Sequence, residues 1–87
     1  MMQPKLLDTV ALLTEIPQQR LTLVEADRPV VDGLPPGLVG TIVHIYPSDV
    51  SPPRYLVEFS DSRGCEYAMT TLQASEFLVL QYDLAVA

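Results

Sequence analysis

The chain has 87 residues, 48% of them hydrophobic and 18% charged, with a formal net charge of −6. That length suits a single domain, 1–87, which buries roughly 60% of its chain surface and leaves nothing for a second core. The composition excludes a disordered acidic tail, and no apolar run reaches the ~18 residues of a membrane span.

The charge also bears on partners. The basic residues Lys5, Arg20, Arg28, Arg54 and Arg63 are scattered, whereas a nucleic-acid binder carries a basic stripe. A field of this sign repels polyphosphate and anionic lipid and favours basic or neutral proteins. The N-terminus lacks a long apolar stretch with a cleavage site, so a cytoplasmic address is expected. Cys65 is the lone cysteine and His44 the lone histidine. An intramolecular disulfide is therefore excluded, and neither a metal site nor a cofactor is expected.

In chain order, Met1–Lys5 is a polar lead-in to Leu6–Ile16, a Leu- and Val-rich stretch closed by Pro17. Asp8–Leu13 reads as a strand with Val10 and Leu12 inward; a helix with Leu6, Val10 and Leu13 on one face is the alternative. Residues 17–36 form a Pro-rich insertion holding Pro17, Pro29, Gly33, Pro35 and Pro36. A connection of this length has structure or a task of its own. Leu21–Glu25 suits a short edge strand, and Arg28–Gly33 an extended arm ending in a turn.

Leu38–Tyr46 reads as a strand. Gly40 inside it marks a bulge or a close backbone approach, and a bulge there leaves two inward faces open: Val43 with Ile45, or Ile42 with His44. Pro47 ends the strand, and Pro52-Pro53 stiffens the loop that follows. Arg54–Ser60 alternates, which puts Tyr55, Val57 and Phe59 on the core face. Asp61–Gly64 is read as a hairpin turn, with Gly64 supplying positive φ and the Asp61 carboxylate accepting from nearby amides. Cys65–Thr70 pairs back, with Cys65, Tyr67 and Met69 on one side and Tyr67 toward the core. Leu72–Glu76 is a connector with a turn of 3₁₀ helix, and Phe77–Tyr82 is the last strand of a core that spans about 6–82. The tail, 83–87, is expected to fray.

The chemistry these residues suggest is sparse. A thiolate needs a nearby base to act as a nucleophile, but nothing in the spacing brings His44 to Cys65. The cysteine is expected as a small buried hydrophobe, and the imidazole as packed or at the rim. Glu58 and Glu66 flank the hairpin turn and are expected to approach across it. Such a pair can hold a cation or move a proton, but on a solvated face it is first a small repulsive cost, which Arg54 or Arg63 could neutralise. Among the tyrosines, Tyr46 and Tyr82 are the surface candidates.

The order Leu-Leu-Asp-Thr-Val-Ala-Leu-Leu (6–13), Gly-Leu-Val-Gly-Thr-Ile-Val (37–43), Tyr-Leu-Val-Glu-Phe-Ser-Asp (55–61), Gly64, Tyr-Ala-Met-Thr-Thr-Leu (67–72) and Phe-Leu-Val-Leu (77–80) resembles the DUF4926 family. These are short bacterial proteins, common in cyanobacteria. The resemblance covers about residues 6–80, and the chain departs from the family pattern by its insertion near 22–34. More loosely, the 37–43 strand is similar to KOW-type and SH3-like barrels. The resemblance implies an all-β fold, a five-stranded SH3-like barrel, and carries over no catalytic or binding residues.

The expectation is a non-enzymatic module that binds another protein, as an accessory or neutralising partner, or binds itself. The alternatives are a structural homo-oligomer and a KOW-like nucleic-acid-binding barrel. The partner-binding candidates are Leu21, Leu23, Val24, Val30, Val31, Leu34, Tyr46 and Tyr82: the six aliphatic residues are too many for so small a core to hide.

Overall fold

A computed structural model of the chain describes residues 4–23, 33–49, 51–61 and 63–80, without the side chains of Leu23 and Tyr67. The described residues are all-β. Eight strands form: β1 (Thr9–Leu12), β2 (Ile16–Pro17), β3 (Thr22–Leu23), β4 (Gly33–Leu34), β5 (Val39–Tyr46), β6 (Arg54–Ser60), β7 (Glu66–Gln73) and β8 (Phe77–Leu80). Two single turns of 3₁₀ helix, Gln18–Arg20 and Ala74–Glu76, complete the set.

The main sheet has six strands in the order β3–β7–β6–β5–β1–β8, and β2 pairs with β4 in a separate ribbon. All pairings are antiparallel. The sheet does not close into the expected barrel among the described residues: it ends on β3 and β8, which do not pair with each other. Closure needs ladder bonds between these two edges, and among the described residues β3 pairs with β7 alone and β8 with β1 alone.

The inner face follows from strand alternation. Tyr55, Val57 and Phe59 are buried along β6, as the alternating pattern predicts, and Val10 and Leu12 are buried along β1. Each such side chain contributes about 1.5–3 kcal/mol on burial. Across the sheet Tyr55 meets Phe77 edge-to-face, with ring centroids 5.4 Å apart.

On β7 the inward residues are Ala68, Thr70 and Leu72, paired with Phe59, Val57 and Tyr55 of β6. The expected inward set of Cys65, Tyr67 and Met69 belongs to the other parity. A register shift between Phe59 and Ser60 offsets β7 from a simple count back from the turn. Cys65 itself is exposed, contrary to its reading as a buried hydrophobe. It precedes the strand and belongs to the turn, where no core reaches it.

The Gly40 expectation divides. The close approach is present: a Cβ at Gly40 would lie 2.8 Å from both Phe59 Cε1 and Val57 Cγ1. The bulge lies further on, between Ile42 and His44. The extra residue, Val43, lets Ile42 and Ile45 face inward together, opposite Val57 and Tyr55. Neither of the two alternatives drawn from strict alternation anticipates that pair.

The ribbon supplies the lid of the core. Ile16 and Leu34, opposite each other in β2 and β4, are 0% and 1% exposed. Leu34 therefore offers no surface to a partner, contrary to its place among the sticky residues. The turn Gln18–Arg20 is held to β7 from two sides. The buried Thr70 hydroxyl donates to the Arg20 carbonyl at 2.9 Å, and the Arg20 guanidinium donates to the Thr71 carbonyl at 3.0 Å.

Candidate functional site

The outward face of β8, β1 and β5 carries a row of apolar side chains. Ala11 lies opposite Leu78 on one side and Val39 on the other. Leu78 is 54% exposed and Val39 48%. Both are outward because their strand neighbours Phe77 and Gly40 are inward. Leu13, 56% exposed, continues the outward parity of β1, and its amide donates to the Glu76 carbonyl. Neighbouring strands lie ~4.8 Å apart, so Leu78, Ala11 and Val39 extend over roughly 10 Å.

Beside this row stand two carboxylates. Glu58 projects outward from β6 opposite Thr41 of β5, and Glu66 lies opposite Ser60 at the start of β7. The two approach across the sheet, as expected from the hairpin. Partial burial, then a hydrogen bond shared with Glu66 and repulsion from its charge, push the Glu58 carboxyl above its usual range. A carboxyl raised in this way weighs against the fold when ionised, and the cost is relieved as falling pH protonates it. Arg54 and Arg63 form no ion pair with either acid; among the described residues the ion pair is Arg20–Glu76.

A family model described as "Domain of unknown function (DUF4926)" matches residues 6–79. The chain belongs to the DUF4926 family. No curated protein and no solved structure matches it. The matched span of this DUF4926 domain runs from the approach to β1 into β8 and includes every residue of the outward row and both acids.

The residues singled out from the sequence are dispersed in the DUF4926 domain. Leu21 packs partly buried against the core and Leu34 is within it. Leu23 is in β3, paired with Ala68. Val24, Val30, Val31 and Tyr82 lie outside the described residues, as does most of the Arg28–Gly33 arm. Tyr46 is 43% exposed and stacks edge-to-face with the exposed His44, with centroids 4.5 Å apart. That pair sits at the far end of β5 from Val39.

His44 and Cys65 are not brought together. His44 lies opposite Leu56, while the Cys65 carbonyl accepts from the Asp61 amide; the separation along the β6 direction is roughly 17 Å at ~3.3 Å per residue. Asp61 does what the turn demands: its Oδ1 accepts from the Arg63 and Cys65 amides at 2.9 and 3.0 Å, and Gly64 has φ of 80°.

Sequence reasoning missed the outward row itself. A strand with Val10 and Leu12 inward turns Leu13 outward, but nothing in the sequence reading puts Val39 or Leu78 on the solvent face beside it. The signal was there in part: Val39 lies one residue before Gly40, whose lack of a side chain fits the crowded inner face.

Proposed function

We propose that this DUF4926 domain is a non-enzymatic protein–protein interaction module that docks a partner on the outward face of β8, β1 and β5. The observation that carries the reading is the in-register row Leu78–Ala11–Val39, continued by Leu13, which leaves large apolar side chains in water. A contiguous patch of that kind on a small protein marks a contact surface. The net charge of −6 favours a basic or neutral protein and speeds its encounter.

We also read the fold as SH3-like. Support comes from the run β7–β6–β5–β1–β8 and from the 3₁₀ turn that leads into the last strand. The part of the Pro-rich segment that is described serves this architecture by closing the core with Leu34, which pairs with Ile16. Docking is therefore ascribed to the sheet face.

Affinity capture from a native lysate tests the reading, with wild type and Leu78→Asp as baits. The expected result is a protein retained by wild type and lost by the variant while the two baits melt alike. Identical retained sets would remove the face from consideration. A second reading is self-association through β8, which forms one end of the sheet and has an unpaired edge among the described residues. It predicts a dimer by light scattering at micromolar concentration.

A further inference from the structure

We infer that the occupant of this face is a basic amphipathic segment, whose apolar side chains cover Leu78, Ala11 and Val39 while a lysine or arginine reaches Glu58 and Glu66. The inference rests on the docking reading above and specifies the chemistry of its partner.

Three features of the face support it. The apolar row runs across the strands from β8 to β5, and the sheet continues from β5 to β6, where Glu58 lies opposite Thr41, and to β7, where Glu66 lies opposite Ser60. From β8 to β7 that is four strand spacings, about 19 Å at ~4.8 Å each, the length of a helix of about 13 residues. The surface thus changes along its length from apolar to acidic. A segment that is apolar at one end and cationic at the other matches both parts at once.

Among the described residues the acidic end has no counter-charge of its own. Neither Arg54 nor Arg63 is paired with Glu58 or Glu66, and the two acids stand on neighbouring strands, Glu58 opposite Met69 and Glu66 opposite Ser60. A cation placed between them relieves their mutual repulsion, whereas an acidic or neutral segment leaves it in place beside a surface losing its water. The long stem of lysine or arginine lies comfortably on Val39 while its head stays with the carboxylates.

A second copy of the chain fits less well. A two-fold contact through this face puts the same patch on both sides. It would bring two pairs of unneutralised carboxylates to one interface, between chains that each carry −6.

Calorimetric titration of the full chain at about 0.15 M salt decides the matter. The probes are a helical peptide whose docking face carries leucine at one end and lysine at the other, and its counterpart with glutamate for each lysine. The lysine peptide is expected to bind and the glutamate peptide not. Leu78→Ser and Glu58→Gln should each weaken binding about 10-fold, a loss of about 1.4 kcal/mol. Asp49→Asn removes one charge from an exposed loop away from the face and should leave affinity unchanged.

Equal effects of Glu58→Gln and Asp49→Asn would reduce the attraction to net charge and overturn the inference. If both peptides bind alike and Leu78→Ser abolishes both, the face docks partners but not basic ones; the inference falls and the docking reading stands. If neither peptide binds and light scattering shows a dimer that Leu78→Ser dissociates, the occupant is a second copy and the inference falls. If neither binds and the chain stays monomeric, the docking reading falls with it.

Discussion

Gly40 stands where β5 passes over the inner side chains of β6. A methyl group there would meet Phe59 and Val57 at 2.8 Å and the Glu58 carbonyl at 2.9 Å. The two side chains can yield a little, but the carbonyl belongs to a paired strand and cannot. Gly40→Ala should therefore destabilise by about 1–3 kcal/mol, the range for overfilling a packed core, measured by urea denaturation. An unchanged midpoint would mean that the two strands separate freely at this point. A glycine in the middle of an apolar strand signals that some special geometry is needed. It does not say whether that is a bulge or a contact, because both follow from a missing side chain. Asp61 and Gly64 were more legible because turn chemistry is local: a short carboxylate caps amides within a few residues, and positive φ selects glycine without reference to the rest of the fold.

At the level of elements, the contact between the two 3₁₀ turns is the most specific electrostatic feature. Arg20 forks onto Glu76, with Nη1 to Oε2 at 2.6 Å and Nη2 to Oε1 at 3.0 Å. Glu76 Oε1 also accepts the Gln73 amide at 2.9 Å. The hydrogen bond from Arg20 outweighs partial burial and holds the Glu76 carboxyl below its usual range, with help from the Gln73 amide. The sign follows directly. A carboxylate whose folded pKa is depressed contributes stability that is complete above its unfolded value, about 4.3, and that is lost as pH falls through the folded value. Arg20→Ala should cost about 1 kcal/mol or less near neutral pH, since the guanidinium is well exposed and solvent screens the pair. The cost should shrink in acid, below about pH 4. Equal losses at pH 7 and pH 3 would show that the side chain acts through packing alone.

The strands themselves were legible wherever alternation was strict, as in Arg54–Ser60. They were less so where an irregularity intervened. The extra residue at Val43 turns Ile42 and Ile45 to the same side, and the shift after Phe59 moves the buried face of β7 to Ala68, Thr70 and Leu72. Neither event has a local signature comparable to a turn glycine. Both are set by how neighbouring strands must bend to share one core.

At the level of the whole molecule, the all-β class and the β6–β7 hairpin could be read from the chain. The destination of the Pro-rich segment could not. Its apolar residues suggested exposed surface, yet Leu34 pairs with Ile16 in a ribbon that seals the core, and Leu21 packs against it. That outcome depends on contacts between residues far apart in sequence, which composition does not encode. The outward row was hidden for the same reason. Leu13, Val39 and Leu78 look alike as strand leucines and valines, and their shared exposure emerges only when β1 is placed between β5 and β8. The surface left by this arrangement joins apolar side chains to an acidic end, and it is the face proposed for partner recognition. Amide chemical-shift mapping of the full chain, titrated with the leucine–lysine helix, tests this placement most directly. The largest changes are predicted at Ala11, Leu13, Val39, Glu58, Glu66 and Leu78. Changes centred on Tyr46 or on Gln18–Leu21, or spread evenly over the chain, would contradict it.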